Sequence, residues 1–327
     1  MSKTRAGLTA IGAYVPEQVL SNFDLEKMMD TSDEWIVTRT GIHRRRIAAE
    51  DEYTSDLAIA SVNDLVRRYG EQALEGVDMV IVATNTPDAL FPSTAALVQA
   101  QFGLQAAAFD LLAACPGWIY GLDVASGLVE SGRHDKVLVI GAEALSKIVD
   151  WDDRSTAVLF GDGAGAAIVE RVPEQHGFLS FITGADGSGA KHLNMRSVGR
   201  NLPDGTELSE SLHMNGREVF KFAVRVMENS TLEAVEKAGL EPAAISLFVP
   251  HQANLRIMEA AREKLGLPPE RVVVTVDEYG NNSTASIPLA ITAALDEGRI
   301  SQGDNLLLVS FGAGLTWAAT VLTWGLP

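Results

Sequence analysis

The chain has 327 residues, 46% of them hydrophobic, 21% charged and 6% aromatic, which is enough apolar material for a large buried core. Its net charge of −17 argues against binding a nucleic-acid backbone, and its apolar stretches are too short or too interrupted to span a membrane. The single cysteine excludes an internal disulfide and a cysteine-built metal site, and the six dispersed histidines also argue against a bound metal.

The first residues do not have the pattern of a secretory signal. Met1–Arg5 is charged and runs directly into Gly7–Pro16, which is too short and too polar at its flanks for a signal core. The alternation in Gly7–Pro16 is typical of a first strand. We therefore expect a cytoplasmic protein.

Short runs rich in Val, Ile and Leu then alternate with longer helix-like segments, which is typical of a layered α/β protein. In chain order, the predicted strands are Val77–Thr84, Ala107–Leu112, Lys136–Gly141, Ile245–Val249 and Asn305–Ser310. The clearest predicted helices are Trp118–Ser131 and Asn254–Leu265.

The chain also contains a weak internal repeat. Three pairs of segments match at offsets between 166 and 169 residues: Val77–Val82 with Ile245–Val249, His134–Gly141 with Gly303–Ser310, and Glu130–Arg133 with Asp296–Arg299. Coincidence is the alternative, because hydrophobic strands of any two α/β segments look alike. The common offset predicts two similar halves, an N-terminal domain 1–172 and a C-terminal domain 173–327.

The repeat brings three polar residues together. Asn281 lies 166 residues after Cys115, so both would occupy matching strand-to-helix corners, and His251 follows the strand Ile245–Val249. Ligands of open α/β sheets gather beyond the carboxyl ends of the strands, where these corners lie. We therefore expect Cys115, His251 and Asn281 to face a shared cleft.

Each of these residues has an ordinary alternative role. Cys115 precedes Pro116, a typical first helical residue, and a helix start favours a reactive thiolate. The alternative is that Cys115 is a small buried apolar residue, which is a common role for a lone cysteine. His251 could be a structural loop histidine, and Asn281 a turn residue. The glycines of Phe311–Trp317 could form a simple turn between strands.

Together these segments resemble one family, the ketoacyl-acyl carrier protein (ACP) synthases III. The matching strings, in that family's order, are Thr31–Ile42, Ala114–Gly117, Phe160–Gly165, Val249–Arg256 and Tyr279–Ser283. The Pro-His-Gln-Ala-Asn string within Val249–Arg256 is the most specific of them. The resemblance covers the chain from Tyr14 to Trp317 and implies the α/β thiolase-like fold, with two pseudo-equivalent halves in five α-β-α-β-α layers.

The resemblance also implies a reaction. Cys115 would take an acyl primer from acyl-CoA, and His251 with Asn281 would stabilise the enolate formed when malonyl-ACP loses carbon dioxide. Backbone N–H groups of Cys115 and of the turn around Ala313 would form the oxyanion hole. The product would be a 3-oxoacyl-ACP two carbons longer than its primer, at the start of fatty acid synthesis. No cofactor is implied, because acyl-CoA is a substrate.

Further residues match the family's substrate-binding positions. Thr31, Trp35, Arg39 and Arg154 would bind coenzyme A, with the adenine between Trp35 and Arg154. Lys221 and Arg256 would receive the acidic ACP. Phe311 would shield the active site, and Phe91 would cross a homodimer interface and help to close the acyl pocket.

The chain departs from the family at three positions near the cysteine. Pro116 and Trp118 replace smaller or different residues, and Ala313 stands where glycine is frequent. Alanine keeps the backbone N–H but allows fewer backbone conformations. These departures concern the shape of the acyl pocket more than the reaction.

Other functions share parts of this pattern. Cysteine, histidine and asparagine in this order also occur in papain-like peptidases, but the sequence around Cys115 differs from theirs. Chalcone-synthase-like and hydroxymethylglutaryl-CoA synthases share the implied fold, and Thr31–Ile42 favours the ACP-dependent family over them. A non-catalytic acyl-CoA-binding protein would not need all three polar groups.

Two further motifs have competing interpretations. Gly161–Ala166 imitates a dinucleotide fingerprint, but it precedes the strand-like Ala166–Val169 instead of opening a helix. The basic run His43–Arg46 is either a solvated face or an attraction for CoA phosphates or for the acidic carrier.

Overall fold

The computed structural model describes residues 5–326, so Met1 to Thr4 of the predicted charged start and the outer ends of the two predicted domains lie outside it. Within these residues the strands are β1 (Arg5–Tyr14), β2 (Gln18–Ser21), β3 (Arg44–Ile47), β4 (Met79–Ala83), β5 (Ala107–Leu111), β6 (Lys136–Glu143), β7 (Gly163–Val172), β8 (Gly177–Ala185), β9 (Leu193–Asn194), β10 (His213–Met214), β11 (Leu247–Pro250), β12 (Asn305–Gly312) and β13 (Thr316–Thr323).

The α-helices of the same residues are α1 (Asn22–Met28), α2 (Asp33–Thr40), α3 (Thr54–Tyr69), α4 (Thr94–Gln101), α5 (Gly117–Glu130), α6 (Arg154–Ala157), α7 (Gly216–Lys237), α8 (Leu255–Leu265), α9 (Val276–Tyr279) and α10 (Ser286–Asp296). No helix in this part of the chain is both long enough and apolar enough to cross a bilayer.

Two sheets with corresponding strand orders form the frame. The first sheet has the order β1-β7-β6-β4-β5 and the second the order β11-β12-β13-β8. In each, a parallel pair (β4 with β6, β11 with β12) is followed by two antiparallel neighbours. Val272 makes a parallel bridge to Phe248 on β11, at the position that β5 occupies beside β4. The two halves therefore share one topology.

The helices complete five layers. Helices α5 and α10 lie between the sheets, where Ile119 and Ile291 belong to one core that also contains Val139 and Leu308. Helices α3 and α4 cover the outer face of the first sheet, and α7 and α8 cover the outer face of the second. The predicted α-β-α-β-α order is thus observed.

The predicted elements are present with small shifts in their ends. Both β6 and β12 run two residues beyond the predicted ends, to Glu143 and Gly312. Helix α5 begins at Gly117, so Pro116 is the residue before the helix rather than its first residue. The predicted division at residues 172 and 173 falls at the end of β7, and its status as a domain boundary stays a prediction.

Candidate active site

One cavity of about 1210 Å³ contains the three residues that the repeat predicts to meet. Cys115 comes from the corner between β5 and α5, His251 from the end of β11, and Asn281 from the loop before α10. The cavity therefore lies where both sheets present the carboxyl ends of their parallel strands. This is the shared cleft expected from the sequence.

The two corners have matching backbone conformations. Ala114 has φ 53° and Ser283 has φ 47°, both in the left-handed region that residues with a side chain seldom adopt. They lie 169 residues apart, at the repeat offset. Ala114 directly precedes Cys115, and Ser283 lies two residues after Asn281. Both of these cavity-bordering polar residues therefore lie close to a strained backbone position, and such positions concentrate at functional sites.

The thiol of Cys115 is half-buried beside the start of α5. Burial raises the pKa of Cys115 to about 12, and the charge of Glu143 acts in the same direction, while a hydrogen bond with Ser283 opposes them. The sequence indicated only the helix start, which favours the thiolate. Burial opposes this effect and favours the protonated thiol.

His251 is fully enclosed except where it borders the cavity. Its Nδ1 lies 2.7 Å from Oγ of Ser286, and its ring meets Phe311 edge to face at 5.6 Å between centroids. Burial lowers the pKa of His251 to about 3, so the imidazole is neutral at physiological pH. Among the described residues, no hydrogen bond joins His251 to Cys115. The imidazolium–thiolate pair of papain-like enzymes is therefore not formed here.

Asn281 is held with its amide nitrogen available. Its Oδ1 accepts a hydrogen bond from the N–H of Ser283 at 2.9 Å, and none of the described hydrogen bonds uses its Nδ2. Asn282, next to it, points away and donates to the carbonyl oxygens of Asp162 and Tyr279. Asn281 can thus donate into the cavity while Asn282 secures the loop.

Gln252 fixes the backbone behind the histidine. Its Nε2 donates to the carbonyls of Pro250 and Val273, and its Oε1 accepts from the N–H groups of Thr275 and Val276. All four hydrogen bonds are buried. The Pro-His-Gln string therefore combines one residue that faces the cavity with one that ties β11 to the loop leading to α9.

The turn after β12 approaches Cys115 closely. A side-chain carbon on Gly312 would lie 2.7 Å from the backbone nitrogen of Cys115, so only glycine fits there. Ala313 borders the same cavity, and no acceptor for its N–H is found among the described residues, whereas the N–H of Cys115 faces that residue's own thiol. The oxyanion hole that the resemblance implies at these two N–H groups stays a prediction.

A buried carboxyl lies beneath the cysteine and was missed from the sequence. Glu143, at the end of β6, is fully buried and accepts hydrogen bonds from Asn85, Thr86 and Thr284. Burial raises the pKa of Glu143 to about 7, against the lowering effect of these donors. The one indication in the sequence was that an acidic residue, Glu143, follows the apolar run of β6. Its partners come from both halves, so it ties the Asn281 loop to the first sheet.

Three of the four residues matched to coenzyme A, Trp35, Arg39 and Arg154, form one cluster at the cavity edge. The guanidinium carbons of Arg39 and Arg154 each lie 4.8 Å from the ring centroid of Trp35. Trp35 and Arg39 border the cavity, whereas Arg154 and Thr31 do not. Arg154 donates to the carbonyl of Asp30 at 2.6 Å. Arg154 would have to move outward before an aromatic ring could enter between it and Trp35.

The charged side chains that border the cavity are all basic. Five basic residues border it and no acidic residue does, among the described residues, although the chain has a net charge of −17. These basic residues are Arg39, Arg196, Arg217, Lys221 and Arg256. The sequence indicated three of them and missed Arg196 and Arg217, which no motif distinguishes. A negatively charged ligand fits this entrance.

Phe91 does not border the cavity within one chain. Its side chain is 85% exposed in the loop before α4, and Leu90 and Leu112 are also largely exposed. The first residues of α4 donate their N–H groups to Asp110 on β5, so this loop lies beside the edge strand β5. Together Leu90, Phe91, Phe109 and Leu112 form an exposed apolar patch, which we call the edge patch.

The structure also shows the surroundings of Trp118, of the glycine-rich motif and of the basic run His43–Arg46. Trp118 is buried between the sheets and points away from the cavity, so its departure from the family does not alter the pocket wall. Gly163 begins strand β7, which excludes the helix that a dinucleotide fingerprint needs. Within the basic run, Arg45 is buried against Asn22, and Arg44 pairs with Glu278 at 2.9 Å.

Two family descriptions match the chain. The one described as 3-oxoacyl-[acyl-carrier-protein (ACP)] synthase III matches residues 109–187, and its C-terminal counterpart matches residues 235–324. Beta-ketoacyl-[acyl-carrier-protein] synthases III from Deinococcus deserti and Symbiobacterium thermophilum are each 55% identical to the chain. The matches cover 99% and 98% of this chain, and 92% and 98% of those relatives.

Solved structures agree with both the fold and the sequence match. A beta-ketoacyl-[acyl carrier protein] synthase III from Thermus thermophilus is 70% identical, with a TM-score of 0.96 over 98% of this chain and 99% of that one. A 3-oxoacyl-[acyl-carrier-protein] synthase III from Aquifex aeolicus is 47% identical, with a TM-score of 0.90 over 98% and 100%. The predicted thiolase-like fold is confirmed.

Proposed function

The chain belongs to the 3-oxoacyl-[acyl-carrier-protein] synthase III family, and on that premise we propose how its residues divide the reaction. The enzyme is an acyltransferase that condenses an acyl primer from acyl-CoA with malonyl-ACP, giving 3-oxoacyl-ACP, CoA and carbon dioxide in fatty acid synthesis. The observation that carries the assignment of residues is the meeting of Cys115, His251 and Asn281 in one cavity.

In the first half-reaction Cys115 is the nucleophile. Its sulfur attacks the carbonyl carbon of the acyl thioester, the thiol proton passes to the departing CoA sulfur, and CoA leaves as the thiol. The N–H groups of Cys115 and Ala313 donate to the tetrahedral oxyanion, since that of Ala313 has no acceptor among the described residues and that of Cys115 contacts only its own thiol there. Burial favours the protonated thiol, and the helix start favours its ionisation.

In the second half-reaction His251 and Asn281 are donors. Loss of carbon dioxide from malonyl-ACP leaves an enolate, whose oxygen needs hydrogen-bond donors while its carbon attacks the acyl group on Cys115. A neutral imidazole and an amide Nδ2 can both donate, and neither needs to change its charge. Formation of the new carbon–carbon bond expels the Cys115 sulfur as a thiolate, which takes up a proton from solvent before another cycle.

The charged entrance selects the substrates. The basic residues of the cavity wall suit both the phosphates of CoA and an acidic carrier protein. We assign Trp35, Arg39, Arg154 and Thr31 to CoA, and Lys221 and Arg256 to the carrier. Exposed Arg256 lies over the ring of Phe220 at 5.4 Å, and Lys221 pairs with Glu218 at 2.7 Å. Arg217, which is also exposed and borders the cavity, is a further candidate for the carrier.

Charge reversal at Arg256 tests the docking assignment. We expect Arg256→Glu to raise the KM for malonyl-ACP by about tenfold at low salt and to leave primer acylation within about twofold, because exposed charges mainly steer the encounter. The measurement is steady-state kinetics with each substrate varied in turn. Arg133→Glu is the control, because it makes the same charge change just after the end of α5, whereas Cys115 lies just before the start of that helix. This variant should leave the KM for malonyl-ACP unchanged. An unaltered KM for Arg256→Glu would remove Arg256 from the docking site.

We also propose that the enzyme works as a homodimer joined through the edge patch. Strand β5 is an unpaired edge of the first sheet, and the exposed apolar side chains beside it form a surface that a second copy would cover. A two-fold axis at this edge would bring Phe91 of each copy towards the other copy's cavity, where Leu112 already borders it.

Sedimentation equilibrium at micromolar concentration tests the dimer. We expect a stable dimer for the wild type, and a monomer with little activity for Phe91→Asp, because the substitution would bury a charge in an apolar interface. Phe23→Asp, at an aromatic residue on α1 that is 62% exposed and lies outside the edge patch, should remain a dimer. A wild-type chain that is monomeric and fully active would contradict the proposal.

Neither half-reaction transfers electrons or needs a Lewis acid, so we propose that the enzyme uses no cofactor beyond its CoA and ACP substrates. We also propose a cytoplasmic location, since a reducing compartment keeps a lone nucleophilic thiol free.

A further inference from the structure

The ring of His251 is held by a hydroxyl group that the sequence did not indicate. Nδ1 of His251 and Oγ of Ser286 are 2.7 Å apart, and both residues are 1% exposed. Ser286 is the first residue of α10, so its backbone is anchored by a helix that packs between the two sheets. The edge-to-face contact with Phe311 restrains the imidazole further.

Two arrangements of protons satisfy this distance. In one, the hydroxyl donates to Nδ1 and the proton of the neutral ring is on Nε2. In the other, Nδ1–H donates to the hydroxyl, and the hydroxyl proton needs a second acceptor. Oγ of Ser286 has no other hydrogen bond among the described residues, and a buried donor without an acceptor is costly. The first arrangement gives the hydroxyl proton an acceptor and leaves only the Nε2 proton, on the ring that borders the cavity, without a partner among the described residues.

We propose that Ser286 is a positioning residue that holds His251 as the Nε2–H tautomer, with its donor facing the cavity. The proposal rests on the role of His251 in the condensation step. Nε2 has no partner among the described residues, and the ring borders the cavity, so this N–H is available to an enolate oxygen. The lowered pKa of His251 agrees, because the ring stays neutral throughout the physiological range.

The tautomer also separates the two half-reactions. An imidazole with its proton on Nε2 has no lone pair on the side of the cavity, so it cannot take the thiol proton of Cys115. It can only donate there. Loss of Ser286 should therefore weaken condensation, which needs the donor, and spare acylation, which does not.

Nuclear magnetic resonance of the wild-type protein tests the tautomer directly. With ¹⁵N-labelled histidine, long-range proton–nitrogen correlations distinguish the protonated from the unprotonated ring nitrogen. Comparison with His251→Ala assigns the signal among the six histidines. We expect Nε2 to be protonated and Nδ1 unprotonated between pH 6 and 8. A proton on Nδ1 would overturn the proposal, whatever the role of His251 in catalysis.

Kinetics of Ser286→Ala supply the functional arm. We expect kcat for condensation to fall by roughly 10- to 100-fold, as for other partners that orient a catalytic histidine, with acylation of Cys115 changed by no more than about twofold. Ser310→Ala is the matched control, because Ser310 is also buried but its hydroxyl has no hydrogen-bond partner in the described part of the chain. Condensation at the wild-type rate in Ser286→Ala would overturn the proposal. If His251→Ala also condensed normally, the failure would lie in the proposed function instead.

Discussion

Replacing Cys115 with alanine is expected to abolish the transfer of an acyl group from acyl-CoA to the enzyme. Cys115 is the only cysteine of the chain, so no second thiol can take its place. Loss of a covalent nucleophile typically lowers the rate by about 10⁴-fold or more. The measurement is the radiolabelled acyl group retained on the protein, which should fall from about one per chain to none.

The same variant should keep part of its activity towards malonyl-ACP. The donors of His251 and Asn281 do not depend on the thiol, so slow release of carbon dioxide without condensation is expected to remain. This remaining release also shows that the variant is folded. Acyl label retained at the wild-type level in Cys115→Ala would place the nucleophile elsewhere.

Alanine at His251 or at Asn281 should impair the condensation step and leave the acylation of Cys115 possible. Removing one donor from an oxyanion site lowers the rate by about 10²–10³-fold, so each variant should lose condensation by that factor. The measurement is formation of 3-oxoacyl-ACP under saturating acyl-CoA and malonyl-ACP. His134→Ala is a matched control, because His134 precedes β6 at the far end of the first sheet and contacts Asp78 there. Condensation by His251→Ala at the wild-type rate would contradict the assigned role.

Much of this site could be predicted from local sequence. The alternation of apolar runs identifies β6 and β12, and the repeat offset places Cys115 and Asn281 at matching corners before any family is considered. This works because a duplicated fold keeps the spacing between a strand and the following helix. The matching left-handed residues Ala114 and Ser283 show the same correspondence in the backbone.

The groups that support the site could not be predicted in this way. Glu143 and Ser286 act through hydrogen bonds to residues far along the chain, and sequence spacing does not report such contacts. Burial is also a property of the whole fold. The sequence therefore indicated a helix start that favours the Cys115 thiolate, whereas the enclosed site raises the pKa of that thiol.

Some of the basic residues at the cavity could be predicted from the sequence and others could not. Arg256 belongs to the specific string around His251, so its place at the cavity could be predicted. Arg196 and Arg217 lie in segments without a motif, and only folding brings them to the entrance. The run His43–Arg46 illustrates the converse, because a cluster in sequence separates into a buried Arg45 and an ion-paired Arg44.

The most direct test of the division between the two half-reactions compares two quantities in His251→Ala. One is the acyl label that the protein retains after incubation with radiolabelled acyl-CoA alone, and the other is the carbon dioxide released from malonyl-ACP. The neutral ring, which makes no hydrogen bond to Cys115 among the described residues, predicts that labelling survives, if more slowly, while carbon dioxide release falls by about 10²–10³-fold. A variant that cannot be labelled yet releases carbon dioxide at the wild-type rate would make His251 the base for Cys115 and would contradict the account.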